Sequence, residues 1–156
     1  AGIKESLLDR LMLDEGRVMA MADALEDLVA LPDPLSRVFD SRTLDSGIRL
    51  SRVAVPLGVV AVVYEARPNV TADAAGICLK SGNACVLRGG SLAAKSCAAI
   101  AHVLHDAAVS AGMPAGCIGR QHRHVFRRDA AALQLRFVRA QRHADVGVAL
   151  RTGRDG

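Results

Sequence analysis

The stretch Pro56-Leu57-Gly58-Val59-Val60-Ala61-Val62-Val63-Tyr64-Glu65-Ala66-Arg67-Pro68-Asn69-Val70-Thr71 decides the fold of this chain. Val59 to Tyr64 is a continuous apolar run, rich in β-branched residues, between Gly58 and Pro68. A short run of that kind reads as a strand buried on both faces, as in a parallel sheet. Asn69 is suited to cap the next helix, its side-chain oxygen taking a backbone N–H that the first turn leaves unpaired. Ala74, Ile77 and Cys78 then share one helical face. Ser81-Gly82-Asn83 closes that helix, with Gly82 suited to the left-handed terminal position. A second strand is expected from Ala84 to Leu87, running through Arg88 into a Gly89-Gly90 turn and another helix. Strand, helix, strand, helix at these lengths predicts a βαβα unit with a right-handed crossover, and with it an α/β fold.

In such a unit ligands gather at the carboxyl ends of the strands. Those ends carry Glu65, Arg67 and Asn69 after the first strand, and Arg88, Gly89, Gly90 and Ser91 after the second. A glycine pair lets backbone N–H groups approach a phosphate, and an arginine grips one with two parallel hydrogen bonds. The G-x-G-x-x-G fingerprint is missing, so chemistry alone ranks a structural turn ahead of a phosphate cradle.

Working outward, Leu7, Leu8 and Leu11 share a helical face. A second helix is expected from Asp14 to about Ala30, with Val18, Met21, Ala22, Leu25 and Leu28 along one stripe. Pro32-Asp33-Pro34 ends it. Residues 35 to 47 read as a connecting loop, and Ile48 to Val55 alternates as a strand with one exposed face. Beyond Gly90, Ser91 is suited to cap an alanine-rich helix that carries Ile100, Val103, Leu104 and Ala107 and ends at Gly112. His102 and His105 fall on it at near-helical spacing, but no convincing further ligands accompany them. An exposed helix face is the stronger reading than a zinc site, and no metal is expected.

The chain of 156 residues is 51% hydrophobic, enough for one core and too little for a multidomain enzyme. Cys78, Cys85, Cys97 and Cys117 form no C-x-x-C pair and read as reduced, buried thiols of a cytoplasmic protein. No signal peptide and no bilayer-spanning run is read, so a soluble protein without a membrane partner is expected. Nine arginines against three aspartates give residues 119–156 a charge of +6, which leaves −2 of the net +4 for residues 1–118. Basic character thus belongs to a tail whose Ala130, Leu133, Phe137 and Ala140 would oppose Arg136, Arg139 and Arg142 on a helix.

Val55-Pro56-Leu57-Gly58, Tyr64 to Thr71, Asp73-Ala74-Ala75 and Leu79-Lys80-Ser81-Gly82-Asn83-Ala84 through Leu87-Arg88-Gly89-Gly90-Ser91 form a dense, ordered set. Together they resemble the motifs of gamma-glutamyl phosphate reductase, also called glutamate-5-semialdehyde dehydrogenase, of the aldehyde dehydrogenase superfamily. Ala1-Gly2-Ile3, Asp9-Arg10-Leu11 and Leu31-Pro32-Asp33-Pro34 are similar to its opening region, and the resemblance runs to about Ile118. It implies residues 1–118 as a partial Rossmann-like NADP-binding domain, with an oligomerisation strand near 48–55 in a homo-oligomer. The family reduces L-glutamate 5-phosphate to the semialdehyde with NADPH, in proline synthesis.

By that resemblance the loop from Glu65 to Asn69 faces the nicotinamide and the reacting carbonyl, with Asn69 either an oxyanion contact or only a cap. Lys80 and Arg88, Gly89, Gly90 and Ser91 are implied on the adenosine side and its 2′-phosphate. Leu92 stands where the family has a glutamate, so a polar contact to the cofactor ribose is in question. None of the four cysteines sits in the family's nucleophile motif, so no nucleophile is assigned and the isolated chain is expected to be inactive. From Gly119 the resemblance fails: Arg120 to Arg128 matches neither the expected strand nor the family. A reading-frame slip in GC-rich coding DNA is the leading explanation, ahead of a genuine arm. Two other classes stay open: a nucleic-acid-binding remnant working through the tail arginines, ranked below the reductase, and a non-catalytic interaction protein working through the Ile48 to Val55 edge.

Overall fold

The computed structural model describes residues 5–35 and 37–120. The tail readings beyond Arg120, and Ala1-Gly2-Ile3, lie outside the described residues. Two helices open the structure, α1 over Glu5–Leu11 and α2 over Glu15–Ala30. Asp14 caps α2, its carboxylate accepting the Arg17 N–H at 2.8 Å. Of the expected stripe, Met21 is buried while Val18 is half exposed, so the inward face narrows to Met21, Leu25 and Leu28.

Strand β1, Val38–Thr43, pairs antiparallel with β2, Arg49–Val53. This corrects the reading of 35 to 47 as a connecting loop. Gly47, at φ 83°, donates its N–H to the Leu44 carbonyl, and Leu44 donates to the Ile48 carbonyl, both at 2.8 Å. That is the three-residue hairpin loop with a left-handed third position, which glycine adopts without strain. Every residue of both strands is exposed, so the one-sided burial expected for Ile48 to Val55 is also corrected.

The second sheet holds β3, Val59–Val63, then β4, Ala84–Arg88, and β5, Ile118–Arg120. Between them lie α3, Pro68–Lys80, a 3-10 turn at Ser91–Ala93, and α4, Ala94–Ser110. Both strand pairings are parallel, in the order β3-β4-β5, with Val59 opposite Ala84 and Cys85 opposite Ile118. The βαβα expectation stands, and Gly119 and Arg120 extend a parallel strand where the sequence pattern predicts a break.

Burial is apportioned differently from the sequence reading. The middle strand, β4, is buried from Ala84 to Leu87, with Leu87 1% exposed, because it has a neighbour on either side. Strand β3 lies at the edge; its Val60 and Val62 pack on the core, but Ala61 is exposed and Val63 is 63% exposed. The core joins Ala75 and Cys78 of α3, Cys85 and Leu87 of β4, Ala101 of α4, and Cys117 and Ile118. Helices α3 and α4 pack on each other, and α2 packs on α3.

Both crossover helices end alike. Gly82 and Gly112, at φ 70° and 93°, donate to Leu79 and Val109, while Asn83 and Met113 donate to Cys78 and Ala108 at 2.8 and 2.9 Å. This pair of bonds satisfies carbonyls the last turn leaves open, and it turns the chain sharply toward the next strand.

Candidate functional site

The parallel register brings the ends of β3 and β4 side by side. Val63 pairs with Arg88, and the Tyr64 N–H continues the ladder to the Arg88 carbonyl at 3.0 Å. Two loops therefore leave the sheet together, one carrying Glu65 and Arg67 into α3 with its Asn69, the other carrying Gly89 and Gly90 into the 3-10 turn with its Ser91. Tyr64 fastens them. Its hydroxyl shares a 2.7 Å hydrogen bond with Thr71 of α3, which is fully buried, and burial pushes its pKa up to about 12.

The glycine pair is demanded by this contact. A Cβ on Gly90 would lie 2.8 Å from the Ala66 backbone nitrogen, and one on Gly89 would lie 3.0 Å from both the Tyr64 ring and the Cys97 Sγ. Loop-on-loop packing is thus a sufficient physical reason for both glycines. Arg88 stands at the end of the central strand with an exposed side chain and no ion pair among the described residues.

Two capping expectations are corrected. Arg67, not Asn69, occupies the N-cap of α3, and it does so without a side-chain cap. Pro68 comes next, at the first helical position, where its missing N–H is no loss. Asn69 lies one residue inside the helix, exposed, with its side chain uncommitted among the described residues. Ser91 caps nothing either: it opens the 3-10 turn, whose N-cap is Gly90, and Ala93 precedes α4.

Glu65 sits between two guanidiniums, 3.5 Å from Arg10 and 3.5 Å from Arg67. These groups are largely exposed, so the pairs orient side chains more than they stabilise the fold. Beside them, α1, α2 and the start of α3 enclose a cleft of about 500 Å³, lined among others by Arg10, Arg17, Arg67, Asn69 and Asp73. Asp73 faces it half-buried, and desolvation raises its pKa above the ordinary carboxylate value.

Lys80 is not brought to this end. It is the last residue of α3, and its Nζ donates to the Val29 carbonyl at 3.0 Å, at the C-terminal end of α2. A lysine there satisfies an open helix carbonyl. Asn83 is a residue whose role the sequence reading misses beyond the helix end. Buried, it accepts the Gly58 N–H at 2.9 Å and donates to the Ser81 carbonyl at 3.1 Å and hydroxyl at 2.9 Å, tying the entry of β3 to the exit of α3. An asparagine directly after a helix-ending glycine is the signal that marks it.

The four cysteines are buried and unpaired as disulfides. Burial pushes Cys85 up to about 12 and raises Cys78 and Cys117, which keeps these three thiols protonated at neutral pH. His102 and His105 both lean on Asp106, at 3.4 and 3.1 Å, and no group of three metal-ligating side chains occurs among the described residues. No described helix is long and apolar enough to cross a membrane.

No protein-family model matches the chain. It is 50% identical over 117 residues to the gamma-glutamyl phosphate reductase of Halothermothrix orenii and 53% identical over 117 residues to that of Moorella thermoacetica. Each alignment takes in 75% of this chain and 28% of the relative, so the chain spans little more than a quarter of their length. Its structure superposes on the crystal structure of the Thermotoga maritima gamma-glutamyl phosphate reductase with a TM-score of 0.73 at 40% identity, over 76% of this chain and 29% of that one. The Saccharomyces cerevisiae gamma-glutamyl phosphate reductase gives 0.72 at 33% identity, over 80% of this chain and 33% of that one. Over about three quarters of its length, then, the chain is homologous to gamma-glutamyl phosphate reductases.

Proposed function

We propose that this chain carries part of the cofactor- and substrate-facing surface of an NADPH-dependent gamma-glutamyl phosphate reductase. The reaction is reduction of L-glutamate 5-phosphate to L-glutamate 5-semialdehyde, in a cytoplasmic homo-oligomer. The observation that carries the reading is the half-identity to reductases over a stretch that contains both loops at the strand ends. The paired loops supply a partial Rossmann-like surface, and bound there NADPH supplies the hydride.

The residues present fit a phosphate-bearing cofactor in one respect above others. Arg88 is an exposed guanidinium at the end of a buried strand, without an ion pair among the described residues, and a guanidinium grips phosphate with two parallel bonds. Gly89, Gly90 and Ser91 set the path of the chain beside it. In the first turn of α3, Asn69 is free to donate its amide N–H to an oxygen on which negative charge develops. Glu65 holds Arg67 and Arg10 at the edge of the cleft, a positive lip for an acyl phosphate. The acyl-accepting thiolate is none of the four buried cysteines. The exposed β1–β2 hairpin, with Phe39, Ile48 and Leu50 open to solvent, suits subunit contacts.

Titration of the chain with NADPH, followed by nicotinamide fluorescence, tests the reading. Saturable binding is expected, and Arg88→Ala should weaken it by about tenfold, the loss of one charge-assisted contact of about 1.4 kcal/mol. An unchanged affinity in Arg88→Ala removes the assigned phosphate contact, and absence of any NADPH binding refutes the reading for this chain.

A further inference from the structure

The cleft beside α3 has a charge layout of which the proposed function uses only the Arg10–Arg67 end and Asn69. Its charged groups fall into three sets. Arg17 and Asp9 are spent on each other: the Arg17 Nη2 lies 2.6 Å from the Asp9 carboxylate, and its Nη1 reaches the Asp9 and Met12 carbonyls. Arg10 and Arg67 share the single carboxylate of Glu65, which leaves one positive charge in excess at that end. Asp73 has no ion pair or hydrogen bond among the described residues, which leaves one negative charge in excess further along α3.

Arg67 and Asp73 are six residues apart, about 9 Å along a helix axis. Asn69 lies between them, one turn before Asp73, and all three line the cleft. A positive lip, a free amide and a half-buried carboxylate in sequence match a ligand with an anion at one end and an ammonium at the other.

We infer that this cleft receives the glutamyl group of the substrate: Asp73 binds its α-ammonium, while Arg10 and Arg67, held by Glu65, draw the acyl phosphate past Asn69. The inference rests on the reductase reading and adds to it a residue, Asp73, that selects α-amino acids over plain dicarboxylic acids. Asp73 is a specificity residue here, not a participant in bond making.

Calorimetric titration of the chain with L-glutamate and with glutarate, which keeps both carboxylates and lacks the ammonium, tests it. L-Glutamate, standing in for the acyl phosphate, should bind the unsubstituted chain about tenfold more tightly than glutarate, the worth of one charge-assisted hydrogen bond. Asp73→Asn should abolish that preference and leave NADPH affinity as it was; Asp73→Glu should restore part of it. Because the Asp73 side chain makes no hydrogen bond or ion pair among the described residues, its amide variant should retain the helical content seen by circular dichroism. An undiminished preference in Asp73→Asn overturns the inference, as does a chain that binds NADPH and shows no preference for L-glutamate. A chain that binds L-glutamate through Asp73 yet fails to bind NADPH overturns the cofactor reading alone.

Discussion

Two regions of this chain use β-structure in opposite ways. The hairpin β1–β2 puts every residue of both strands in solvent, apolar ones included, and it is held by its own ladder and its Gly47 turn. Strand β4 has a hydrogen-bonded neighbour on each side and a helix layer over it, and it buries Leu87 almost completely. Apolar sequence does not by itself mean burial: Leu50 is 48% exposed and Leu87 1%, because only Leu87 lies on a strand with neighbours on both sides and a core packed against it. A two-stranded ribbon is marginal alone, whereas a parallel strand between two others shares a cooperative core.

The sharpest way to test that contrast is to truncate one leucine in each region and monitor urea unfolding. Leu87→Ala should cost about 2–5 kcal/mol, through lost burial plus the cavity left behind. Leu50→Ser should stay within about 0.5 kcal/mol, as surface substitutions do. Equal losses would mean that the hairpin is part of the cooperative unit.

A smaller effect is expected at the seam between α3 and β3. Asn83→Ala strands the Gly58 N–H and two local bonds, for a loss of about 1–3 kcal/mol read from the same denaturation midpoint. An unaltered midpoint would show that water replaces the amide, and that the seam is not a tie.

The smallest is the Tyr64–Thr71 bond, about 1 kcal/mol for Tyr64→Phe. Tyr64 and Cys85 also make the buried region alkali-sensitive. Both carry folded-state pKa values raised by burial to about 12, so the folded chain keeps protons that the unfolded chain has released. Their contribution is complete below the unfolded values and is lost as pH climbs toward the folded ones. Unfolding midpoints should therefore fall between roughly pH 9 and about pH 12, and Tyr64→Phe should flatten part of that fall. A midpoint constant over that window would break the contrast between a dry core and a wet hairpin.

Much of the site is legible in sequence because its elements are locally encoded. Gly58 and Pro68 bracket a β-branched run, Gly82 stops a helix, and Arg88-Gly89-Gly90 comes directly after a strand, so local pattern alone places both loops. The caps are not legible, since Asn69 and Ser91 have the right chemistry one or more positions from where the backbone needs it. The resemblance implies Lys80 as a cofactor cation, yet the length of α3 carries it to the C-terminal end of that helix, where it meets the Val29 carbonyl. Asp73 stands in the sequence pattern only as part of Asp73-Ala74-Ala75; that its carboxylate is unpaired in a cleft is not legible there, because it depends on α1 and α2, whose sequences lie more than 40 residues away.

The sequence by itself determined the order and type of β3, α3, β4 and α4, the 3-10 turn between the last two apart, since period, β-branching and glycine placement act over a few residues. Tertiary structure decided which strand became the centre of the sheet, which apolar residues stayed wet, and which charges in the cleft were left unmatched. Those outcomes depend on neighbours brought together across the chain, because burial and ion pairing are set by the groups lying alongside and not by the adjacent residues in sequence.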